Sequence, residues 1–450
     1  MANATMPSRT IPTPAAVPTY TDAPPAAADV VVIGAGVIGM ATAYYLAKAG
    51  VSVLVCEKGV VAGEQSSRNW GWIRQQGRDP AELPVMMESI RLWDGLAAET
   101  GEDFGFVRGG CLYMAEKEEE LERFRLWTET AKQHQLDSRL IGRAEIDQMI
   151  SGADGRWAGA LYTPGDGRGE PTIAVPALAR AARQLGVSIA EHCAVRGVER
   201  SGGQVSGVVT EKGRVACQAV VVAGGAWSSR LLAHLGIALP QLTVRSSVAR
   251  TGPAPEIFSG NAAGPGLAFR RRKDGGYTLA LGDYSEHYIA PESFRYFKSF
   301  LPILRSSAKE VKLRFAGSVE RFTKGRSWSE DGPTPFETTR VLDPACAPEA
   351  LKRLQERLKE KLPEVAPSGI VETWAGMIDV TPDAVPVMDG VPNWPGLTIA
   401  TGFSGHGFGI GPGAGRVLAD LVQGKPPGHD MTRFRYSRFF DGSPVVVGPM

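Results

Sequence analysis

The chain of 450 residues has few cysteines, almost no net charge and no long apolar run. Its five cysteines show no CxxC spacing, which argues against a zinc site or a disulfide framework and is compatible with a reducing compartment. The formal net charge is +1, so nothing favours a nucleic-acid partner. No stretch approaches the ~20 apolar residues that a membrane-spanning helix needs. We therefore expect a soluble, cytoplasmic globular protein of two or three domains.

Residues 1–28 are rich in Pro, Ala and Thr and carry few charges. They contain no continuous apolar segment, so they do not resemble a secretory signal. We interpret them as a flexible tail that precedes the first folded unit.

Residues 29–57 have the pattern strand, glycine turn, helix, strand and acid within one βαβ-sized unit. The turn consists of Gly34, Ala35, Gly36, Val37, Ile38 and Gly39. Gly34 permits the tight turn, Gly36 lets the backbone approach a pyrophosphate, and Gly39 lets the helix lie close to the strand. The helix N-terminus offers free N–H groups to the phosphates, and Glu57 is placed to accept hydrogen bonds from a ribose. This context predicts a bound dinucleotide; the alternative is an ordinary tight βα turn.

Three further stretches combine glycine with polar or apolar residues at the ends of strands. The polar loop 63–72 carries two tryptophans and is either a surface loop or a lid over a cofactor. The apolar strand 219–222 leads into a glycine pair, which serves either close packing or a ligand. The loop 401–409 lies between a strand and a helix, as expected for backbone pressed against a flat ligand such as a flavin, whose reduced form carries negative charge that a helix N-terminus favours. A flexible loop is the alternative there.

These four stretches together resemble the flavin-dependent amine and amino-acid oxidoreductases, the family that contains D-amino acid oxidase, glycine oxidase and sarcosine oxidase. The sequence GFSGHGF at residues 402–408 is similar to the C-terminal flavin loop of sarcosine oxidase. Within the family the chain is most similar to bacterial L-amino acid deaminases, through AGEQSSR at 62–68, VVTEKG at 208–213 and VVVAGG at 220–225. An insertion at about 292–367 also resembles that group. Two features depart from it, since the chain has no N-terminal membrane helix and its lid reads NWGWIRQQ.

The resemblance implies an α/β fold of two domains. The first is a discontinuous Rossmann-like FAD-binding domain formed by residues 29–80, 156–235 and 370–450. The second is a substrate-binding domain formed by residues 81–155 and 236–369, built on a mixed or antiparallel sheet with the helical insertion 292–367.

The resemblance also implies which residues contact FAD. These are Gly34, Gly36, Val37, Ile38, Gly39, Glu57, Lys58, Gln65, Ser66, Ser67, Arg68, Gly71, Trp72, Val195, Gly224, Trp227, Gly376, Gly402, Phe403, Gly405, His406 and Gly407. Because Gly376 stands where sarcosine oxidase has its flavin-bonding cysteine, we expect noncovalent FAD. His406 is expected at the flavin edge rather than as a general base.

For the substrate, the resemblance implies that Arg270 holds the carboxylate. A guanidinium pairs with a carboxylate through two bonds, so arginine suits this task, and the nearby residues Arg271, Arg272 and Arg245 compete for it. Thr401 and Phe403 are expected close to substrate and flavin. Trp374, with Trp227 and Phe403, forms either an apolar side-chain pocket or simple core packing. The sequence shows no arrangement that predicts a nucleophile or a metal site.

The resulting hypothesis is FAD-dependent oxidative deamination of free L-amino acids, with apolar or aromatic side chains favoured. Hydride passes from Cα to flavin N5, the imino acid hydrolyses to a 2-keto acid and ammonia, and O2 reoxidises the flavin with release of H2O2. One alternative is a D-amino acid or secondary-amine dehydrogenase that uses another electron acceptor. A second is a non-catalytic flavoprotein subunit of a complex. A homodimer is compatible with either enzyme.

Overall fold

The computed structural model describes residues 10–152, 155–306, 308–315 and 327–448. Its strands are β1 (Val30–Ile33), β2 (Val53–Cys56), β3 (Trp72–Ile73), β4 (Cys111–Ala115), β5 (Arg139–Gly142), β6 (Gly159–Thr163), β7 (Gly167–Arg168), β8 (Ser188–Ala190), β9 (Val195–Ser201), β10 (Gln204–Thr210), β11 (Gly213–Ala216), β12 (Ala219–Val222), β13 (Leu242–Thr251), β14 (Asn261–Gly264), β15 (Leu267–Arg271), β16 (Tyr277–Ala280), β17 (Ser285–Tyr288), β18 (Val311–Arg314), β19 (Ile370–Val380), β20 (Val387–Val391) and β21 (Trp394–Thr401).

The α-helices in the described residues are α1 (Val37–Lys48), α2 (Gln65–Arg68), α3 (Leu83–Thr100), α4 (Glu118–Gln133), α5 (Arg143–Met149), α6 (Pro171–Gln184), α7 (Ser228–His234), α8 (Pro291–Arg295), α9 (Phe297–Ser306), α10 (Pro335–Thr338), α11 (Pro348–Lys361) and α12 (Gly407–Val422). Short 3₁₀ helices cover Gly225–Trp227, Ala366–Ser368, Thr432–Phe434 and Tyr436–Phe439.

The first sheet has six strands in the order β20-β21-β12-β1-β2-β8. β1 pairs in parallel with both β2 and β12, and only β20 runs antiparallel to its neighbour. The β-branched runs suit this position because a parallel sheet is covered on both faces and its strands are apolar throughout. Helices α1, α3, α6 and α12 contribute to the core on one face, while the hairpin strands β9, β10 and β11 and helix α7 pack on the other.

The second sheet has ten strands and is mixed. Its main path is β18-β17-β13-β16-β15-β14-β4-β6-β5, and β19 pairs antiparallel along β13 from Leu242 to Thr251. Helix α11 buries Ala350, Leu354 and Leu358 against the apolar face of this sheet. The chain thus combines one largely parallel sheet with one mixed, largely antiparallel sheet, and this confirms the predicted α/β fold.

The predicted domain ranges stay a prediction, and some elements pack across them. Helix α3, expected in the substrate-binding domain, packs Val85 and Trp93 into the same core as α1. Strands β6 and β19 belong to the mixed sheet, although residues 156–235 and 370–450 were expected in the FAD-binding unit. Which sheet a strand joins depends on pairing with strands that are distant in sequence, and local sequence patterns do not predict that pairing.

The expected insertion 292–367 contains helices α8, α9, α10 and α11 and strand β18. Residues 307 and 316–326 of this prediction lie outside the described residues.

Residues 10–28 follow the surface of the folded chain, which differs from the predicted flexible tail. The side chain of Ile11 is 3% exposed and packs with Val248 and Trp374. The backbone N–H of Thr10 donates to Glu372 at 2.9 Å, and that of Tyr20 donates to Glu191, also at 2.9 Å. This proline- and alanine-rich segment therefore lies in an extended conformation on the surface and contacts residues near both sheets. Residues 1–9 of the predicted tail lie outside the described part of the chain.

Within the part of the chain that the structure describes, no helix combines the length and the apolarity required to traverse a bilayer.

Candidate active site

A deep cleft lies at the carboxyl ends of the parallel strands, where open α/β sheets bind their ligands. Its walls come from the segments that follow β1, β2, β12 and β21, together with one end of β19. The lining residues are Ile33, Gly34, Gly36, Val37, Ile38, Cys56, Glu57, Lys58, Ala62, Gly63, Glu64, Gln65, Ser66, Asn69, Val195, Val222, Ala223, Gly224, Gly225, Ala226, Trp227, Ser228, Leu231, Phe336, Met377, Asp379, Ala400, Thr401, Phe403, Gly405, Gly407 and Phe408.

The turn after β1 depends on glycine for space and for backbone conformation. Gly34 has a φ of 105°, and a Cβ added there would lie 2.6 Å from the carbonyl oxygen of Ala223. A Cβ on Gly39 would lie 1.9 Å from the carbonyl oxygen of Gly34. Helix α1 has no side-chain cap at Gly36. The Val37 N–H donates to the Ser66 hydroxyl at 2.9 Å, and the N–H groups of Ile38 and Gly39 have no intrahelical acceptor. The turn is therefore built to receive an anionic group.

Glu57 follows β2 and lines the same cleft. Its carboxylate accepts hydrogen bonds from the backbone N–H groups of Ala35 at 2.8 Å and Gly59 at 2.7 Å. Burial raises the pKa of Glu57, although these bonds and the charge of Lys58 oppose the shift. A carboxylate has about four acceptor positions, so lone pairs remain for the hydroxyl groups of a ribose.

The Trp227 side chain, which follows β12, forms another part of the cleft wall. The Lys58 ammonium lies 4.3 Å from the centre of the Trp227 ring and forms an ion pair with Glu64 at 2.5 Å. The Trp227 Nε1–H donates to the Glu64 carboxylate at 3.0 Å. These contacts hold the Trp227 ring in place, so that a flat apolar surface lies beside the Lys58–Glu64 ion pair.

The loop between β21 and α12 forms a further part of the cleft wall. Gly402 and Gly405 have φ values of 76° and 85°, in the left-handed region that favours glycine. The buried carboxylate of Asp379 accepts from the Gly402 N–H at 2.7 Å and from the Thr401 hydroxyl at 3.2 Å. Burial raises the pKa of Asp379. The loop thus places the N-terminus of α12 against the cleft, where its partial positive charge favours an anionic ring edge.

His406 belongs to this loop, but its ring lies behind the cleft wall. Arg78 donates to the His406 carbonyl oxygen at 3.0 Å, and Nδ1 of His406 lies 3.6 Å from the Glu82 carboxylate. Burial lowers the pKa of His406, and the charges of Arg78 and Arg74 act in the same direction. The His406 imidazole, packed against the buried Arg78–Glu82 ion pair, therefore supports the loop between β21 and α12 from behind.

The structure brings together fifteen of the predicted cofactor and substrate residues around the cleft. They are Gly34, Gly36, Val37, Ile38, Glu57, Lys58, Gln65, Ser66, Val195, Gly224, Trp227, Thr401, Phe403, Gly405 and Gly407. Ten others do not line it, namely Gly39, Ser67, Arg68, Gly71, Trp72, Arg270, Trp374, Gly376, Gly402 and His406.

Several residues of the second group support the wall from behind. The buried Arg68 guanidinium pairs with Asp343 at 2.7 Å and donates to the Ala375 carbonyl oxygen at 2.9 Å. Trp374 donates its Nε1–H to the Arg68 carbonyl oxygen at 2.9 Å. A Cβ on Gly376 would lie 2.0 Å from Oε1 of Gln65, so this glycine lets strand β19 lie close to helix α2.

Sequence reasoning missed Asp379, Phe336, Met377 and Phe408 among the residues that line the cleft. Asp379 stands only three residues after Gly376, a position that the resemblance did mark, and this proximity was a usable signal. Phe336 comes from the insertion through a tertiary contact, and nothing in its local sequence marks it.

Arg270 lies outside the cleft, and its guanidinium is already paired within the chain. Nη1 and Nη2 meet the two carboxylate oxygens of Glu170 at 2.8 Å and 3.2 Å, and Nε donates to the Trp70 carbonyl oxygen at 2.6 Å. The side chain is 1% exposed. The geometry therefore does not support the predicted role of Arg270 as the ligand of a substrate carboxylate, because Glu170 already takes both arms of its fork.

The three arginines that competed with Arg270 are also paired with acids. Arg245 donates through Nε to Glu286 at 3.0 Å, Arg272 pairs with Asp274 at 3.1 Å, and Arg271 lies 3.6 Å from Glu256.

Comparison with known proteins identifies related chains over nearly the whole length. A family model described as FAD dependent oxidoreductase matches residues 29–421. The structure of L-amino acid deaminase from Proteus myxofaciens in complex with anthranilate is 35% identical, superimposes with a TM-score of 0.90, and is covered over 96% of its chain by 94% of this one. Glycine oxidase from Geobacillus kaustophilus (strain HTA426) is 27% identical over 424 residues, which are 91% of this chain and 97% of that protein.

A longer relative shares only part of its length with this chain. Mitochondrial sarcosine dehydrogenase from Homo sapiens is 25% identical over 428 residues, which are 92% of this chain and 42% of that protein.

Proposed function

The chain belongs to the FAD dependent oxidoreductase family, and from that premise we propose that it deaminates free L-amino acids oxidatively to 2-keto acids and ammonia. Its membership makes it an FAD-dependent oxidoreductase that acts on amino acids or amines. The observation that carries the narrower proposal is the likeness to the Proteus myxofaciens L-amino acid deaminase, with a TM-score of 0.90 over 94% of the chain. Apolar or aromatic side chains are the favoured substrates, and O2 is the proposed electron acceptor, with H2O2 as its product.

The cleft fits FAD on its own geometry. The uncapped N-terminus of α1 would hold the pyrophosphate, Glu57 would hold a ribose, and the N-terminus of α12 would face the anionic edge of the ring. Gln65 lines the cleft, and its Oε1 is buried without a hydrogen-bond partner among the described residues, so this acceptor is available to a bound group. When bound there, FAD supplies the hydride acceptor, and the protein supplies binding and orientation.

Noncovalent attachment is the expected mode. Gly376, which stands where sarcosine oxidase has its flavin-bonding cysteine, carries no side chain that could bond to FAD.

The residues beside the α12 loop would orient the substrate and exclude water from it. Phe403 and Phe408 are 6% and 5% exposed and line the cleft with Met377. Gln241 donates through Nε2 to the Thr401 hydroxyl at 3.0 Å and to Asp379 at 3.2 Å, which fixes the polar floor. In this apolar surrounding a substrate amine is favoured in its neutral form, since burial disfavours charge. A neutral amine is the form that can give up hydride from Cα.

A second candidate function is oxidation of glycine-like or secondary amino acids through the same site. The likeness to a glycine oxidase and to a sarcosine dehydrogenase favours it, because both proteins are named for such substrates. Those likenesses are at 27% and 25% identity, against 35% for the deaminase.

Chiral analysis of the amino acid left after turnover distinguishes these functions. We expect incubation of racemic aromatic or apolar amino acids with the purified protein to consume the L form and to release ammonia, 2-keto acid and peroxide in equal amounts. Consumption of the D form alone would contradict the proposal. Turnover of sarcosine or glycine without any L-amino acid would favour the second function instead.

A further inference from the structure

We infer that Cys56 and Cys193 form a peroxide-sensitive dithiol beside the FAD site, and that their oxidation to a disulfide weakens FAD binding. The two residues lie 137 positions apart in the chain, so no sequence spacing marks them as a pair. The inference rests on the proposed function only for the source of peroxide, because reoxidation of the flavin by O2 would release H2O2 in the same cleft.

The two thiols meet in the apolar core on one face of the parallel sheet. Their sulfur atoms lie 4.0 Å apart, and both side chains are almost fully buried. Cys56 is the last residue of β2, whereas Cys193 lies in the segment that joins β8 to β9. Because a disulfide has an S–S length of about 2.0 Å, the sulfur atoms must approach each other by roughly 2 Å. A residue in a connecting segment can supply that movement without breaking a sheet.

Cys193 is the better nucleophile of the two. The contact between the thiols lowers the pKa of Cys193 and raises that of Cys56. The Thr210 hydroxyl and the Lys212 charge also lower the pKa of Cys193, while burial opposes them. The thiolate is the form that attacks peroxide. Cys217, which belongs to the same core, differs because burial raises its pKa to about 11.

The oxidation balances with H2O2 as its only co-reactant. The Cys193 thiolate attacks one peroxide oxygen, the O–O bond breaks, and the departing hydroxide takes up a proton to become water. The Cys56 thiol then attacks the resulting sulfenic acid at sulfur, the S–O bond breaks, and the oxygen leaves as water with the thiol proton. The two thiols lose two electrons and two protons, and one H2O2 becomes two molecules of water.

The segment that carries Cys193 binds both polar groups of the Glu57 backbone. The Glu57 N–H donates to the Ala190 carbonyl oxygen at 2.9 Å, and the Cys193 N–H donates to the Glu57 carbonyl oxygen at 2.8 Å. The His192 N–H donates to the Gly59 carbonyl oxygen at 3.0 Å. Movement of this segment toward Cys56 therefore displaces the residue whose carboxylate is placed for the ribose.

Cys56 connects the pair to the cleft. It lines the cleft directly before Glu57, which gives a molecule as small as peroxide an approach to the two thiols. Val195, two residues after Cys193, lines the cleft as well, so movement of the segment reaches the cofactor site at a second place. Cys193 itself is not a lining residue, and its replacement leaves the cleft wall unchanged.

Peroxide treatment of the FAD-loaded protein, followed by thiol alkylation and peptide mass spectrometry, tests the inference. We expect a disulfide-linked pair of peptides that contains Cys56 and Cys193, and full reversal by dithiothreitol. The dissociation constant for FAD should rise by roughly 10-fold or more, the scale of losing hydrogen bonds to a charged group. Cys193→Ser and, as a second variant without the thiol, Cys193→Ala should keep their FAD affinity after peroxide. Cys217→Ser is the matched control, because it removes a buried thiol of the same core and should respond like the wild type.

Peroxide that leaves the Cys56 and Cys193 thiols reduced, or that oxidises the partly exposed Cys346 alone, overturns the inference. A Cys56–Cys193 disulfide that leaves FAD affinity unchanged does the same, as does an equal loss of FAD affinity in Cys193→Ser. A protein that forms the disulfide with added peroxide, but releases no peroxide during its own turnover, supports the dithiol and contradicts only the proposed electron acceptor.

Discussion

Replacing Gly39 by alanine is expected to weaken FAD binding severely. The added Cβ would lie 1.9 Å from the carbonyl oxygen of Gly34 and 3.2 Å from Cγ1 of Val32. The Gly34 carbonyl oxygen belongs to the backbone of the turn that would receive the pyrophosphate, so no side-chain rotation can relieve this clash. Overpacking of this kind typically lowers the free energy of unfolding by about 1–3 kcal/mol or more. The displaced turn would also no longer direct its N–H groups at the phosphates. We expect FAD affinity to fall by roughly 100-fold or more.

Gly95→Ala is the matched control for this change. Gly95 also lies inside a helix, α3, and a Cβ added there meets nothing within 4 Å. Removing a glycine from a helix interior stabilises it by roughly 0.5–1 kcal/mol, so this variant should bind FAD like the wild type. Titration of both apoproteins with FAD, followed by quenching of flavin fluorescence, compares them. Wild-type affinity in Gly39→Ala would show that the turn after β1 does not hold the cofactor.

Replacing Arg270 by alanine is expected to destabilise the protein by about 3–5 kcal/mol, the usual effect of removing one partner of a buried ion pair. Arg270 and Glu170 are 1% and 4% exposed. Burial opposes ionisation of Glu170, but the Arg270 charge outweighs it and lowers the pKa of that carboxyl. Without the guanidinium, a buried carboxylate is left and the Trp70 carbonyl oxygen loses its donor.

Two further variants separate stability from substrate binding. Arg271→Ala removes the neighbouring arginine, which lies 3.6 Å from Glu256 (59% exposed) and donates to the Ala254 carbonyl oxygen at 2.9 Å. It should destabilise the protein less than Arg270→Ala, because it leaves no buried carboxylate without a partner. Adding Glu170→Gln to Arg270→Ala removes the stranded charge and should restore part of the stability. Denaturant unfolding, followed by tryptophan fluorescence, measures all three. If Arg270→Ala unfolds like Arg271→Ala but no longer binds amino acids, Arg270 is the carboxylate ligand that the sequence predicted.

The sequence identified the parts of the site that depend on local spacing. The turn from Gly34 to Gly39 and the position of Glu57 follow from residues within one βαβ unit, and the structure places them around one cleft. The loop between β21 and α12 was recognisable for the same reason, because its left-handed glycines lie directly between a strand and a helix.

The remaining features depend on residues that are distant in the chain. Nothing near Arg270 indicates that Glu170, 100 positions earlier, occupies its guanidinium. His406 has the local sequence of a ligand contact, but Arg78 and Glu82 determine where its ring lies. Strand β19 pairs with β13, more than 120 positions earlier, and this pairing brings Asp379 and Met377 into the cleft. Local sequence patterns therefore could not predict which charged residues pair or which strands are neighbours.

The central claim is that the glycine-lined ends of separate strands hold one FAD beside an amino acid. The visible spectrum of the purified protein, recorded before and after addition of an aromatic L-amino acid without oxygen, tests it most directly. The expected result is the yellow spectrum of bound flavin, which bleaches on mixing and returns in air. A folded protein that is colourless and takes up no added FAD would contradict the claim, as would a yellow protein whose colour no amino acid or amine removes.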